Sequence, residues 1–230
     1  MRHRSYRGKV VYLTDNVGEM GREFFHVTIQ PDGTRTMRAV CEMDDDRLLR
    51  DVVITLDPQW RPTDAFVRLT INEEFFGSSW FRFGQSEAEC QGLTKQEGRI
   101  SQTFDLAEPA KVFGTHPVHS DAWGLSQFKQ RVPDTVEPAD GAIFTSSFLP
   151  NGGSGPLLMP AGGRTQRRYV GREKVTVPAG TFDAHHFQFL VRDLPPIEIW
   201  ATDQDCIPVR LRWDHLHQSY DLVELSGEPR

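Results

Sequence analysis

Short stretches of alternating apolar and polar residues run through the first half of the chain. Residues 21–30 and residues 34–43 each place their apolar side chains on one parity. These side chains are Phe25, Val27 and Ile29 in the first run and Met37, Ala39 and Cys41 in the second. A side-chain period of two is typical of a half-buried β-strand, and the intervening PDG turn predicts that the two strands pair antiparallel.

Further extended runs follow at intervals of roughly a dozen residues, which is the spacing of a β-meander. They comprise residues 48–56, 65–72, 74–83 and 99–104. RLLRDVVITL and EEFFGSSWFRF are apolar on both parities, so we expect both sheet faces to be partly covered. The pattern predicts an all-β fold, an antiparallel meander that forms a barrel or half-barrel around an interior.

One segment has helical spacing. In residues 120–131, Ser120 can cap the first turn. The apolar residues at helical spacing are Ala122, Leu125, Phe128 and Val132. A single helix is too little for an alternating βαβ fold, so we expect one helix added to the barrel.

The segment 150–163, PNGGSGPLLMPAGG, contains five glycines and three prolines. Such a composition cannot continue a helix or a central strand. We therefore expect a Gly/Pro-rich loop, either a lid with Leu157, Leu158 and Met159 at its apolar tip or a plain flexible linker.

Length and charge narrow the function classes. A chain of 230 residues suits one β domain spanning 1–230, and its net charge of −6 offers no basic field for nucleic acid. The sequence has no 18-residue apolar run and no apolar leader after its first residues, so we expect no membrane insertion and a cytoplasmic protein. Its three cysteines lack metal or disulfide spacing and predict reduced thiols.

The C-terminal quarter resembles a bacterial family, the domain of unknown function 3108. The matching residues are Gly171, Glu173, Val177 to Phe182, Trp200, Pro208 to Arg210, Glu224 and Leu225. The resemblance implies an antiparallel β-barrel or half-barrel, similar in architecture to lipoprotein-carrier-like folds that hold apolar ligands. It implies no catalytic residues.

The densest polar cluster is GTHPVHSDAW, at the start of the predicted helix. His116 and His119 are candidate catalytic groups for proton transfer, with Asp121 fixing an imidazole tautomer. The alternative is that they cap the helix or lie at the surface. Pro117 separates the two histidines and no glutamate completes a metal motif, so we expect neither a metal nor another cofactor.

A second set of residues combines aromatic surface with a few polar groups, as a small-molecule cavity does. These candidate ligand-binding residues are Trp80, Arg82, Trp123, His185, Glu198, Trp200 and Arg210. The alternatives are a core role for His185 and an ion pair on the outer sheet face for the charged groups. Nucleotide and serine-hydrolase motifs are absent from the sequence.

Together these patterns favour a cytoplasmic β-barrel that binds a small, largely apolar or aromatic molecule in its interior. A cofactor-independent lyase, isomerase or hydrolase, in which His116 or His119 is the acid or base, is the alternative. A protein-interaction module, with the loop of residues 150–163 as contact surface, is a third hypothesis. The oligomeric state stays open.

Overall fold

The computed structural model describes residues 2–128, 130–149, 151–153, 155–191 and 193–230. Strands dominate this part of the chain, as the sequence predicts. The first eight are β1 (Arg4–Thr14), β2 (Gly18–Ile29), β3 (Arg35–Met43), β4 (Leu48–Leu56), β5 (Pro62–Ile71), β6 (Glu74–Phe83), β7 (Glu87–Thr94) and β8 (Gly98–Asp105). The others are β9 (Val112–Gly114), β10 (Val136–Pro138), β11 (Ile143–Thr145), β12 (Met159–Pro160), β13 (Gln166–Val177), β14 (Gly180–Leu190), β15 (Ile197–Ala201), β16 (Pro208–Trp213) and β17 (Gln218–Gly227).

Fourteen of these strands form one antiparallel sheet. β1 pairs with β2 on one side and with β17 on the other, so strands from both ends of the chain meet in the middle. From β2 the sheet continues through the meander to β8, and from β17 it continues through β16, β15, β14 and β13 to β10. One contiguous core takes side chains from both halves, so the sheet curls around it as a barrel-like structure with β8 and β10 at its two edges.

Alternating side chains of the meander divide into an inner and an outer face. Val27, Met37 and Cys41 are fully buried, which confirms the predicted inward parity of β2 and β3. The opposite parity is only partly covered: on the outer face, Trp80 of β6 remains 43% exposed and Phe66 of β5 remains 39% exposed. The sheet therefore has one packed face and one partly apolar face in contact with solvent.

The helix is shorter than predicted and begins earlier. Helix α1 spans Val118–Trp123 and continues as a 3₁₀ turn over Gly124–Gln127. Pro117 precedes the first turn, and the Ser120 hydroxyl donates to the Pro117 carbonyl instead of capping the helix. Of the predicted apolar positions, Val132 is exposed, and Lys129 within the predicted span lies outside the described residues.

The described part of the Gly/Pro-rich segment is packed, which contradicts its interpretation as a lid or flexible linker. Residues 150 and 154 lie outside the described residues. Leu158 is 1% exposed, and its backbone exchanges two hydrogen bonds with the side-chain amide of Gln102 on β8. Met159 enters β12, which pairs with β11 in a small second sheet that also contains β9. The segment thus fills the barrel instead of covering a cavity.

Candidate functional site

His119, one of the predicted catalytic residues, belongs to the core. Its side chain is fully buried, and Nε2 lies 3.0 Å from the hydroxyl oxygen of Tyr6 on β1. Its ring packs 4.4 Å from Phe25 and 5.3 Å from Trp123, measured between centroids. Burial lowers the pKa of His119 to about 3, so the imidazole is neutral at physiological pH. Its side chain offers no exposed surface for a substrate to contact.

His116 and Asp121 do not complete the predicted acid–base group. His116 Nε2 is 3.0 Å from the carbonyl oxygen of Ser147, and among the described residues no hydrogen bond joins Asp121 to either histidine. Burial and the nearby Arg50 guanidinium lower the pKa of His116 to about 3. The structure therefore shows no hydrogen-bonded acid–base group of His116, His119 and Asp121 among the residues that it describes.

Glu23, which the sequence reasoning missed, is the group that organises the start of α1. Its fully buried carboxylate accepts hydrogen bonds from the backbone nitrogens of Val118 (2.6 Å) and His119 (3.3 Å) and from the Tyr12 hydroxyl (3.2 Å). The helix N-terminus therefore receives its negative charge from β2. The signal was available, because Glu23 shares the inward parity of Phe25.

The buried Glu23 and Arg50 share this end of the interior with the half-buried Asp121. Glu23, Cys41 and Arg50 lie side by side on β2, β3 and β4. Burial raises the pKa of Glu23 to about 7, against the opposing effect of its hydrogen-bond donors. Burial and the neighbouring Glu23 charge raise the pKa of Asp121 to about 8. The cluster anchors α1 to the sheet.

Trp123, predicted to contact a ligand, is also a core residue. It is 3% exposed, and its ring meets that of Trp60 edge to face at 6.0 Å. The cavity beside Trp123 and Ser120 has a volume of about 10 Å³, the space of at most one water molecule. The space beside these two residues is therefore too small for an organic ligand.

His185 on β14 lies in a closed polar cluster. Its Nδ1 is 2.8 Å from the Tyr169 hydroxyl, and its Nε2 is 3.3 Å from Oδ1 of Asp203 and 3.1 Å from Nη1 of Arg131. Arg131 also bonds Asp203 at 2.5 Å. Burial and the Arg131 charge lower the pKa of His185. With Phe187 fully buried beside it, His185 fits the core alternative.

Glu198, Trp200 and Arg210 lie on the outer face, where each contacts a side chain of an adjacent strand. The imidazole of His186 stacks on Trp200 at 4.2 Å between ring centroids, and its Nε2 is 2.5 Å from Oε2 of Glu198. Arg210 makes two 2.7 Å hydrogen bonds to the Asp221 carboxylate. Trp200 on β15 is directly opposite Arg210 on β16, and its indole nitrogen donates to Oε1 of Glu173 at 2.6 Å, so the polar atoms of these residues are engaged within the sheet.

Trp80 and Arg82 share the outer face of β6, not the wall of an interior cavity. Trp80 is 43% exposed, and Arg82 donates to Glu89 of β7 at 2.8 Å. This is the outer-face ion pair that the sequence left open as the alternative. Both residues were predicted on the correct common face, but that face points outward.

A broad groove of about 1300 Å³ crosses the outer face of β1 to β5. Its floor includes the exposed Phe24 and Phe66 and the half-buried Val40 and Val53. The inward-facing residues that border the groove, such as Tyr6 and Val52, are less than 3% exposed. The open space of the groove therefore lies on the side of the sheet opposite the core. Pro178 and Ala179, at the turn between β13 and β14, close one end.

The two aromatic rings give the groove an exposed apolar surface. Phe24 is 43% exposed and Phe66 is 39% exposed. They lie in neighbouring rows of the outer face: Phe24 on β2 is directly opposite Val40 on β3, whereas Phe66 on β5 is directly opposite Val53 on β4. Exposed apolar side chains grouped in a concave surface are typical of a binding site.

Neither a metal centre nor a membrane helix emerges from the part of the chain that the structure describes. Within that part, no three His, Cys, Asp or Glu side chains are grouped as ligands for a metal ion. None of its helices has the length and apolar character to cross a bilayer.

The fold has a counterpart among solved structures. A β-barrel-like protein of domain of unknown function DUF1849 from Brucella abortus superposes with a TM-score of 0.54 over 99% of this chain and 98% of that one, at 12% sequence identity. The fold is β-barrel-like. Because the identity is so low, the likeness extends to the fold alone.

Two other solved structures align over most of the chain but at lower similarity. A candidate lipoprotein from Parabacteroides distasonis covers 97% of this chain and 95% of its own at 9% identity, with a TM-score of 0.31. A candidate exported protein with a YmcC-like fold from Bacteroides fragilis aligns over 98% of this chain and 96% of its own length at 7% identity, with a TM-score of 0.29. Neither score supports an argument about this chain.

No family model and no curated protein matches the sequence. The resemblance to the domain of unknown function 3108 is therefore supported only at the coarse level of a β-barrel-like domain of unknown function.

Proposed function

We propose that the chain is a binding protein for a small, largely apolar molecule, which it takes up in the outer groove of β1 to β5. The observation that carries the proposal is the pair of half-exposed rings, Phe24 and Phe66, inside a groove of about 1300 Å³. Single exposed apolar residues are ordinary on protein surfaces, but a contiguous group in a concave surface marks a ligand site.

The groove replaces the barrel interior as the proposed location. Tyr6, Phe25 and Met37 fill the inner face at the same strands and are each no more than 3% exposed. A ligand in the interior would have to displace this packing, whereas the outer rings can be covered without any rearrangement. Burial of the two rings provides the driving force.

The affinity contribution follows from the exposed area. Full burial of a phenylalanine side chain contributes about 1.5 to 3 kcal/mol. With 43% and 39% of Phe24 and Phe66 still exposed, a ligand that covers them gains about 1 kcal/mol from each. Loss of both rings should therefore weaken binding about 30-fold.

The test uses N-phenyl-1-naphthylamine, a neutral fluorophore whose emission rises in apolar surroundings. We expect the wild-type chain to bind it and the double variant Phe24→Ser/Phe66→Ser to bind about 30-fold more weakly. Leu93→Ser is the matched control, because Leu93 is 50% exposed on β7 but lies outside the groove. Equal binding by the wild type and the double variant, or an equal loss in the control, would contradict the proposal.

A cytoplasmic location is part of the same proposal. Its support is that Cys41, Cys90 and Cys206 are all buried free thiols, as expected in a reducing compartment.

A further inference from the structure

Three basic side chains lie next to one another on the outer face, along the row that leads into the groove. Arg7 on β1 is directly opposite His26 on β2, and His26 is directly opposite Arg38 on β3. Directly opposite residues of an antiparallel pair have Cβ atoms about 5 Å apart. All three residues are exposed, and all three line the groove.

The two guanidinium groups of this row have no carboxylate partner within ion-pair distance among the described residues. Arg7 Nε instead donates to the Ser226 hydroxyl at 3.3 Å, and Arg38 Nη1 donates to the Thr28 hydroxyl at 3.4 Å. Arg7 on β1 and Arg38 on β3 flank His26, and an anion placed between the two like charges would offset their repulsion. The row is therefore arranged to gain from a bound anion.

The acidic residues of the groove, Asp51 and Glu224, lie in the neighbouring row. Asp51 is directly opposite Arg68, and Glu224 is directly opposite Lys9. Neither carboxylate is within ion-pair distance of Arg7 or Arg38 among the described residues. The two guanidinium groups therefore stay available for a ligand.

The basic row runs without interruption into the apolar floor. Arg38 is directly opposite Val53, Val53 is directly opposite Phe66, and Phe66 is directly opposite Trp80 on β6. Neighbouring strands are about 4.8 Å apart, so the distance from Arg38 to Trp80 is about 14 Å, the scale of an extended dodecyl chain. Charge is concentrated at one end of the row and apolar surface at the other.

We propose that the groove takes an amphipathic anion, with the anionic head group held by Arg7, His26 and Arg38 and the aliphatic chain lying over Val53 and Phe66. This inference rests on the proposed function and defines its ligand class. The hydroxyls of Ser226 and Thr28 are placed to add hydrogen bonds to the head group.

The test compares dodecanoate with dodecanol, which has the same chain without the charge. Both are titrated as monomers by displacement of N-phenyl-1-naphthylamine. We expect the wild type to bind dodecanoate at least tenfold more tightly, and Arg7→Gln/Arg38→Gln to bind the two compounds equally, with its affinity for dodecanol unchanged. Arg99→Gln is the control, since Arg99 is exposed on β8 outside the groove.

The outcomes distinguish the anion site from the proposed binding of apolar molecules in the groove. Equal affinity of the wild type for dodecanoate and dodecanol would overturn the anion site and leave the apolar groove standing. Failure to bind either compound, or the fluorophore, would overturn both. Binding to phosphatidylglycerol vesicles without binding to monomeric dodecanoate would also overturn the inference, because the basic row would then bind a membrane surface and not a single amphiphile.

Discussion

The Glu23→Gln variant tests whether the carboxyl at the start of α1 destabilises the fold when it ionises. Burial raises the pKa of Glu23 from 4.5 to about 7, so between these values the folded chain keeps a proton that the unfolded chain has released. The associated stability is fully present below pH 4.5 and is lost as the pH rises through 7.

The expected magnitude follows from this pKa. One pKa unit corresponds to about 1.4 kcal/mol, so the Glu23 contribution falls by about 2 to 3 kcal/mol between pH 5 and pH 8. Glutamine retains a carbonyl oxygen that can accept the 2.6 Å hydrogen bond from the Val118 nitrogen, but it cannot ionise. We expect the variant to match the wild type at pH 5 and to exceed it by about 2 to 3 kcal/mol at pH 8.

The wild-type profile alone would not reveal this effect, because two histidines act in the opposite direction. The pKa values of His116 and His119 are lowered to about 3, so their contribution to stability is lost as the pH falls below 6.5. Subtracting the wild-type free energy of unfolding from that of the variant removes this contribution, since both proteins retain the histidines.

Urea unfolding at half-unit steps from pH 5 to pH 8 provides the free energies. Glu97→Gln serves as the control, because Glu97 is exposed and its removal should change stability little at any of these values. Loss of the Glu23 charge also removes its repulsion of Asp121, which acts in the same direction. A difference between variant and wild type that stays constant across the range would refute the reasoning.

Two further substitutions test the packing. His119→Ala should lower the free energy of unfolding by about 2 to 4 kcal/mol in urea while leaving fluorophore binding unchanged, because a fully buried ring and its bond to Tyr6 are lost; a fully stable variant with impaired binding would restore the catalytic hypothesis. Leu158→Ala should cost about 2 to 4 kcal/mol, whereas Leu149→Ala, at an exposed position just before the Gly/Pro-rich segment, should cost little, and equal effects would argue against a packed segment.

Regular strands could be predicted from the sequence because their signals are local. The predicted runs 48–56 and 74–83 coincide with β4 and β6, where turn residues and period-two patterns agree. The helix was predicted too long, since Val132 continues the apolar spacing but is 59% exposed. The helix packs against β9 and β16, and spacing along the chain does not encode those contacts.

The candidate site was harder to predict because it depends on which sheet face curves inward. Parity correctly placed Trp80 and Arg82 on one face of β6 but could not show that this face is the outer one. The packed state of Leu158 depends on the amide of Gln102, a contact between distant segments. The role of Glu23 could have been predicted, because a carboxylate at an inward position needs hydrogen-bond donors. The first backbone nitrogens of the nearby helix are those donors.

The pairing of β1 with β17 has a consequence for how the protein assembles during synthesis. Tyr6 and Gly227, near the two ends of the sequence, are direct neighbours in the finished sheet. While the ribosome is still translating, β1 can pair with β2 but leaves its other side open, a bare strand edge of the kind that recruits other chains. Contacts between such distant segments also slow folding. The nascent chain therefore has an unpaired edge at β1 until β17 emerges. A product that ends before β17 would keep this edge and would be prone to aggregate.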